Sequence, residues 1–84
     1  MWTVNVDKFV DKRLKKIPEP EKSRIQQALD VLEVAPETLD VKPLVGRSGY
    51  RLKVGGWRLL LDIDFEERII FVYMLGSRGD VYKK

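Results

Sequence analysis

The sequence predicts an α+β domain in which a helical hairpin packs on one face of a twisted, mostly antiparallel sheet, in the order β-α-α-β-β-β. Three observations carry this expectation. Apolar and polar residues alternate at 2–6, 50–54 and 57–63, the period of strands with one buried face. Between the first and second of these segments, apolar residues recur at helical spacing over 9–17 and 25–32. Breakers fall at the joints, Pro18 and Pro20 between the helical stretches and Gly55-Gly56 between two of the strands. The 84 residues are enough for one domain spanning 1–84 and no more.

Each element has its own warrant. Trp2, Val4 and Val6 alternate with Thr3 and Asn5 and open the chain as a strand. Asp7 follows, a residue whose carboxylate satisfies free N–H groups in the first turn of a helix. Phe9, Val10, Leu14 and Ile17 share one face of that helix, and Pro18-Glu19-Pro20 ends it because proline removes a donor and restricts its predecessor. The second helix starts with Glu19 and Glu21, acids that suit the positive end of the helix dipole. Ile25, Ala28, Leu29 and Leu32 form its buried stripe, and Ala35-Pro36 closes it. Residues 36–49 read as a connection pinned to the core by Leu39, Val41, Leu44 and Val45. Tyr50–Val54 and Trp57–Ile63 are strands joined through Gly55-Gly56 by a primed hairpin turn. Asp64–Arg68 is a polar turn, and Ile69–Leu75 is apolar on both faces, the pattern of a central strand covered on two sides. A loop over Gly76–Asp80 and a short tail, Val81–Lys84, complete the chain.

Composition limits the chemistry. Hydrophobic residues make up 44% and charged residues 35%, ordinary for a folded soluble domain. Neither cysteine nor histidine occurs, so disulfides, thiolate metal sites, imidazole bases and Ser-His or Cys-His nucleophile pairs are all excluded. Chemistry would fall to Lys, Arg, Tyr, Asp, Glu, Ser or Thr. No cofactor and no metal site is expected. No apolar run approaches a membrane span, and Met1-Trp2-Thr3-Val4 has neither the basic region nor the long apolar stretch of a signal peptide, so the cytoplasm is the expected compartment.

The net charge of +3 is unevenly spread. Residues 1–45 balance eight Lys/Arg against eight Asp/Glu, while residues 46–84 hold eight against five. Arg47, Arg51, Lys53 and Arg58 follow one another with no acid between them. Strand alternation puts Tyr50, Leu52 and Val54 on the helix side and Arg51 and Lys53 on the other. The same rule turns Trp57, Leu59, Leu61 and Ile63 inward, and Arg58, Leu60 and Asp62 outward. A hairpin across Gly55-Gly56 would bring Arg58 beside the first pair, and the loop after the last strand could add Arg78. Like charges on paired strands repel by tenths to about 1 kcal/mol each, a cost that a bound polyanion would offset. The bland alternative is a solvated face whose charges pair locally, Arg58 with Asp62 and Arg78 with Asp80.

The run G-Y-R-L-K-V-G-G-W-R-L-L-L at 49–61, followed by I-I-F-V-Y-M-L-G-S-R-G-D-V-Y at 69–82, resembles the RelE/ParE toxin superfamily and more narrowly its RelE-like mRNA interferases. The opening strand, the helical hairpin and the K-P-L-V-G-R lead-in at 42–47 extend the resemblance over nearly the whole chain. What it implies is the toxin of a type II toxin–antitoxin system, an endoribonuclease that cleaves mRNA in the ribosomal A site and is neutralised by a cognate antitoxin protein. The family's functional positions fall on Arg51 and Lys53 in the first strand of the hairpin, on Arg58 after the hairpin aromatic, on Arg78 in the Gly-x-Arg loop and on Tyr82. Many relatives carry Gly-His-Arg where this chain has Gly76-Ser77-Arg78, so no imidazole is available at that point.

RNA supplies its own nucleophile, the 2′-OH, and cleavage through it needs no metal. Within that resemblance Lys53 is the candidate general base, because neighbouring cations disfavour its charged form. Arg51 and Arg58 would stabilise the phosphorane-like transition state, for which a permanently charged, bidentate guanidinium is suited. Arg78 would bind the scissile phosphate, Tyr82 would orient or stack on a base near the cut, and Arg47 and Lys83 would contact RNA. Trp57 is assigned to the core. Two other readings stand beside this one, a ParE-like inhibitor of DNA gyrase and a non-catalytic RNA- or ribosome-binding module.

Overall fold

The computed structural model of the protein describes residues 1–77, so Arg78, Tyr82 and Lys83 lie outside the described residues. The chain runs β1 (Thr3–Val6), α1 (Lys8–Lys15), α2 (Glu21–Val34), a 3-10 turn at Pro36–Thr38, β2 (Val41–Pro43), β3 (Tyr50–Val54), β4 (Trp57–Asp64) and β5 (Ile69–Ser77). The strands form one sheet in the order β1-β5-β4-β3-β2, with β1 parallel to β5 and every other pair antiparallel. The topology explains the layering. β1 lies at one edge and β2 at the other, so the helical hairpin crosses a whole face of the sheet to join them. The meander β2-β3-β4-β5 then returns until β5 lies beside β1.

Local signals set the helices. Asp7 caps α1, its Oδ1 accepting from the Phe9 amide at 2.8 Å. Glu19, just ahead of α2, accepts from the Ser23 amide at 3.0 Å and the Ser23 hydroxyl at 2.6 Å. Val10, Leu14, Ile17, Ile25, Ala28, Leu29 and Leu32 project from the helical hairpin onto Leu52, Leu59, Leu61, Ile70, Val72 and Leu75 of the sheet. Full burial of each large aliphatic side chain is worth about 1.5–3 kcal/mol. Tyr50, Val54, Trp57 and Ile63 pack partly buried against this core, as the alternation requires. Among the described residues no helix is long and apolar enough to cross a membrane.

The α+β architecture agrees with the expectation, but Val45 (97% exposed) and Phe9 (46% exposed) stay outside the core they were expected to join, and the strands differ in three respects. Residues 41–43 form a fifth strand, antiparallel to β3, where a connection was expected; three residues ending in proline are too short to show a period. β5 continues to Ser77, so Gly76 pairs with Arg58 inside the ladder where a loop was expected to begin. β5 is also covered on one face only, since Ile70 and Val72 are buried while Phe71 keeps 37% of its surface. At the hairpin, Gly55 takes φ +59° and Gly56 no positive φ, which fits a type II′ primed turn.

Candidate nucleic-acid interface

The face of the sheet away from the helices is built from the alternate residues of each strand, and the register orders them in rows. Lys53 is directly opposite Arg58, which in turn faces Gly76. In the next row Lys42 faces Arg51, Arg51 faces Leu60, and Leu60 faces Met74. In the third, Asp62 faces Phe71, which faces Asn5. The Lys53 amide donates to the Asp40 carbonyl at 3.0 Å, away from β4. Lys53 and Arg58 are therefore a pair without mutual backbone bonds, the kind with α-carbons only about 4.5 Å apart.

Two of the cations stand, among the described residues, without a carboxylate. Among the described residues none lies within ion-pair distance of Lys53 or Arg58. Arg58 curls back over the hairpin turn, with Nη1 donating at 3.4 Å to the carbonyl oxygens of both Gly55 and Trp57. These long, neutral contacts aim the guanidinium without cancelling its charge. The Arg58–Asp62 pair that a solvated face would use does not form.

Arg51 differs. Its Nη1 lies 3.4 Å from Asp40 Oδ1 and 3.5 Å from the Asp40 carbonyl oxygen, and four-fifths of its side chain is covered. Part of its charge is therefore already answered, and the contact ties β3 to the segment leading into β2. Arg47 and Arg51 together line a shallow groove of about 290 Å³ with Pro43, Leu44 and Val45, which adds Arg47 to the same side. Lys42, beside Arg51, is a cation that sequence reasoning missed. Its only signal was Val41-Lys42-Pro43, one alternation long.

The face also carries an apolar strip. Leu60 is 1% exposed yet belongs to the outward set, apart from the helix-side core. β4 and β5 slip by one residue between Leu60 and Leu61, so Tyr73 and Met74 share the place opposite Leu60. The Phe71 and Tyr73 rings lie nearly parallel, 19° apart with centroids at 6.3 Å. A separate hollow of about 430 Å³ opens between the end of α2 and the sheet, lined mainly by Trp2, Leu39, Val41, Tyr50, Phe65 and Arg68. Phe65 packs edge-on against Trp2 and Tyr50, and Arg68 sits 5.0 Å over the Trp2 ring. Among the described residues that hollow has no cluster of converging polar groups. Among the described residues no three acidic groups are placed to hold a metal ion.

This arrangement can hold a phosphate between Lys53 and Arg58. Comparison with known proteins bears on the family. Residues 2–82 match the family model for the ParE toxin of the type II toxin–antitoxin system parDE. A candidate toxin of Methanocaldococcus jannaschii, RelE1, is 28% identical over 98% of this chain and 96% of its own length. The crystal structure of the archaeal RelE–RelB complex from Pyrococcus horikoshii OT3 superposes with a TM-score of 0.79 at 28% identity, covering 94% of this chain and 97% of the other. The isolated E. coli RelE toxin gives 0.69 at 25% identity, over 98% and 92% of the two chains.

Proposed function

We propose that this chain, which belongs to the ParE toxin family of type II toxin–antitoxin systems, is a RelE-like toxin that cleaves mRNA, acting in the ribosomal A site through attack of the RNA's own 2′-hydroxyl. The observation that carries the reading is the directly opposed Lys53–Arg58 pair, without carboxylate partners among the described residues, on the sheet face that the helices leave open.

The chemistry follows from the side chains. Lys53 takes the 2′-OH proton as the general base, directly across the sheet from the Arg58 guanidinium. The 2′-oxygen attacks the adjacent phosphorus, the bond to the 5′-oxygen breaks, that oxygen takes a proton from solvent water, and a 2′,3′-cyclic phosphate and a 5′-hydroxyl result. Arg58 donates to the phosphoryl oxygens as charge builds on them, with Arg51 supporting from the neighbouring row. Arg78 binds the scissile phosphate and assists the leaving group, and Tyr82 stacks on a base near the cut. Arg47 and Lys83 contact the RNA. The partner is a cognate antitoxin that covers the cationic face with an acidic or amphipathic segment, in keeping with the RelE–RelB complex to which the chain is similar.

The test is translation of a defined message in vitro with purified ribosomes, read by primer extension. Discrete cuts, lost with Lys53→Ala and with Arg78→Ala while both variants stay folded, are the expected result. Cuts equally frequent with both variants would overturn the assignment. Intact message together with arrested growth and a DNA-damage response would point to gyrase.

A further inference from the structure

We propose that Phe71 and Tyr73 form a base-stacking platform for the nucleotides flanking the scissile phosphate, a subsite that continues from the Lys53–Arg58 pair; the inference rests on the RNA-cleaving reading above. Phe71 is an apolar aromatic on the solvent side of a strand that has neighbours on both edges, with 37% of its surface open. Burial does not explain it, because Ile70 and Val72 supply the helix-side core from the same strand. Its ring and that of Tyr73 stand almost parallel. The slip opposite Leu60 turns Tyr73 outward with Phe71 although both residues of the bulge share one partner. Tyr73 reaches across β4, its hydroxyl 3.5 Å from where a β-carbon on Gly49 would be.

The rows match a single strand of RNA. A phosphate at Lys53 and Arg58 lies one same-face step from the row of Lys42, Arg51 and Tyr73, and two from that of Phe71. One such step is about 6.8 Å, twice the rise of an antiparallel strand. Cations on β2, β3 and β4 fill the first two rows and the aromatics of β5 the second and third, so the two tracks overlap at the Arg51–Tyr73 row and the bases that follow the phosphate would reach Phe71. Aromatic faces bind bases without demanding a particular one, and cations beside them hold the backbone. Asp62, in the Phe71 row, ends the cationic track: a carboxylate there repels a further phosphate. An acidic or amphipathic antitoxin segment is the competing occupant: it would use Phe71 and Tyr73 for apolar contact and not for a base, so losing the rings would weaken antitoxin binding alone.

The probe is a short RNA in which every 2′-hydroxyl is methylated, so it binds without being cut, measured by fluorescence anisotropy. Phe71→Leu and Tyr73→Leu keep apolar bulk and remove the π face. Each is expected to bind about tenfold more weakly, with an unchanged dependence on salt, whereas Lys53→Ala flattens that dependence. An abasic site beside the scissile linkage should weaken wild-type binding by the same factor and erase the difference between wild type and Phe71→Leu. In the unaltered protein, 2-aminopurine beside the scissile linkage should be quenched on binding, which keeps the test independent of how the variants fold. Unchanged affinity for Phe71→Leu and Tyr73→Leu, no quenching, or loss of antitoxin binding alone would each overturn the platform. A wild-type protein that neither cuts message nor binds the methylated RNA sinks the RNA reading itself, whereas cutting with an idle platform sinks only this inference.

Discussion

Leu59 and Leu60 are consecutive on β4 and both are closed to solvent, but on opposite faces and for different ends. Leu59 joins the core between sheet and helices, where every neighbour is apolar. Leu60 is covered on the other side by a face of cations and aromatics, with Arg51 and Met74 as its register partners. On the inner face, burial of side chains holds the fold together. On the outer face, like charges are set directly opposite each other, which costs stability. A sheet thus separates the two requirements by a single residue step: one face is optimised for packing, and its reverse can carry a charge arrangement that packing alone would reject.

The largest expected effect is on the outer face and does not lower stability. Lys53→Ala should slow message cleavage by about 10²–10⁴-fold, the range for loss of a general base, with a thermal midpoint unchanged or slightly raised as the repulsion across the Lys53–Arg58 pair is relieved. A fall in the midpoint that tracks the loss of cleavage would break the division between the faces. The inner face should answer in the opposite way. Leu59→Ala is expected to cost about 2–5 kcal/mol by urea unfolding, while the fraction that remains folded cuts at the normal rate.

Gly49 tests the join between the faces. Its φ of +106° and the 3.3 Å separation between a β-carbon there and the Leu61 carbonyl oxygen leave an added methyl no room that a side-chain rotation could make. Gly49→Ala should therefore destabilise by about 1–3 kcal/mol. Asp40→Asn sharpens the place of Arg51. The Asp40–Arg51 pair is partly exposed, so its loss should cost less than about 1 kcal/mol. RNA affinity should rise a few-fold as the guanidinium is released, and a drop in affinity would mean that Asp40 serves to aim Arg51. The smallest effect lies far from both faces. Two hydrogen bonds from Ser23, hydroxyl first and amide second, hold the Glu19 carboxyl below its ordinary value. A depressed carboxyl stabilises above the ordinary carboxylate range, and that contribution fades as pH falls through the folded-state value. In Ser23→Ala the Glu19 carboxyl should titrate closer to its ordinary value, read by NMR.

Much of this was legible along the chain because it depends on neighbours two to four residues apart. Alternation assigned Arg51, Lys53 and Arg58 to one face and Leu52, Leu59 and Leu61 to the other. Helical spacing found the stripes of α1 and α2, and Gly55-Gly56 fixed the register that opposes Lys53 to Arg58. What escaped depends on residues far apart in sequence. β1 pairs with β5, Thr3 beside Ile69, because the returning meander leaves that edge free. Val41–Pro43 becomes a strand because β3 offers it an unpaired edge. Asp40 meets Arg51 through that pairing. The slip at Leu60 turns Tyr73 outward, a consequence of two strands sharing a twist that neither encodes alone. Local periodicity thus determined which residues face together, whereas tertiary pairing decided which of them touch, since a contact between distant segments exists only once the whole sheet has closed around it.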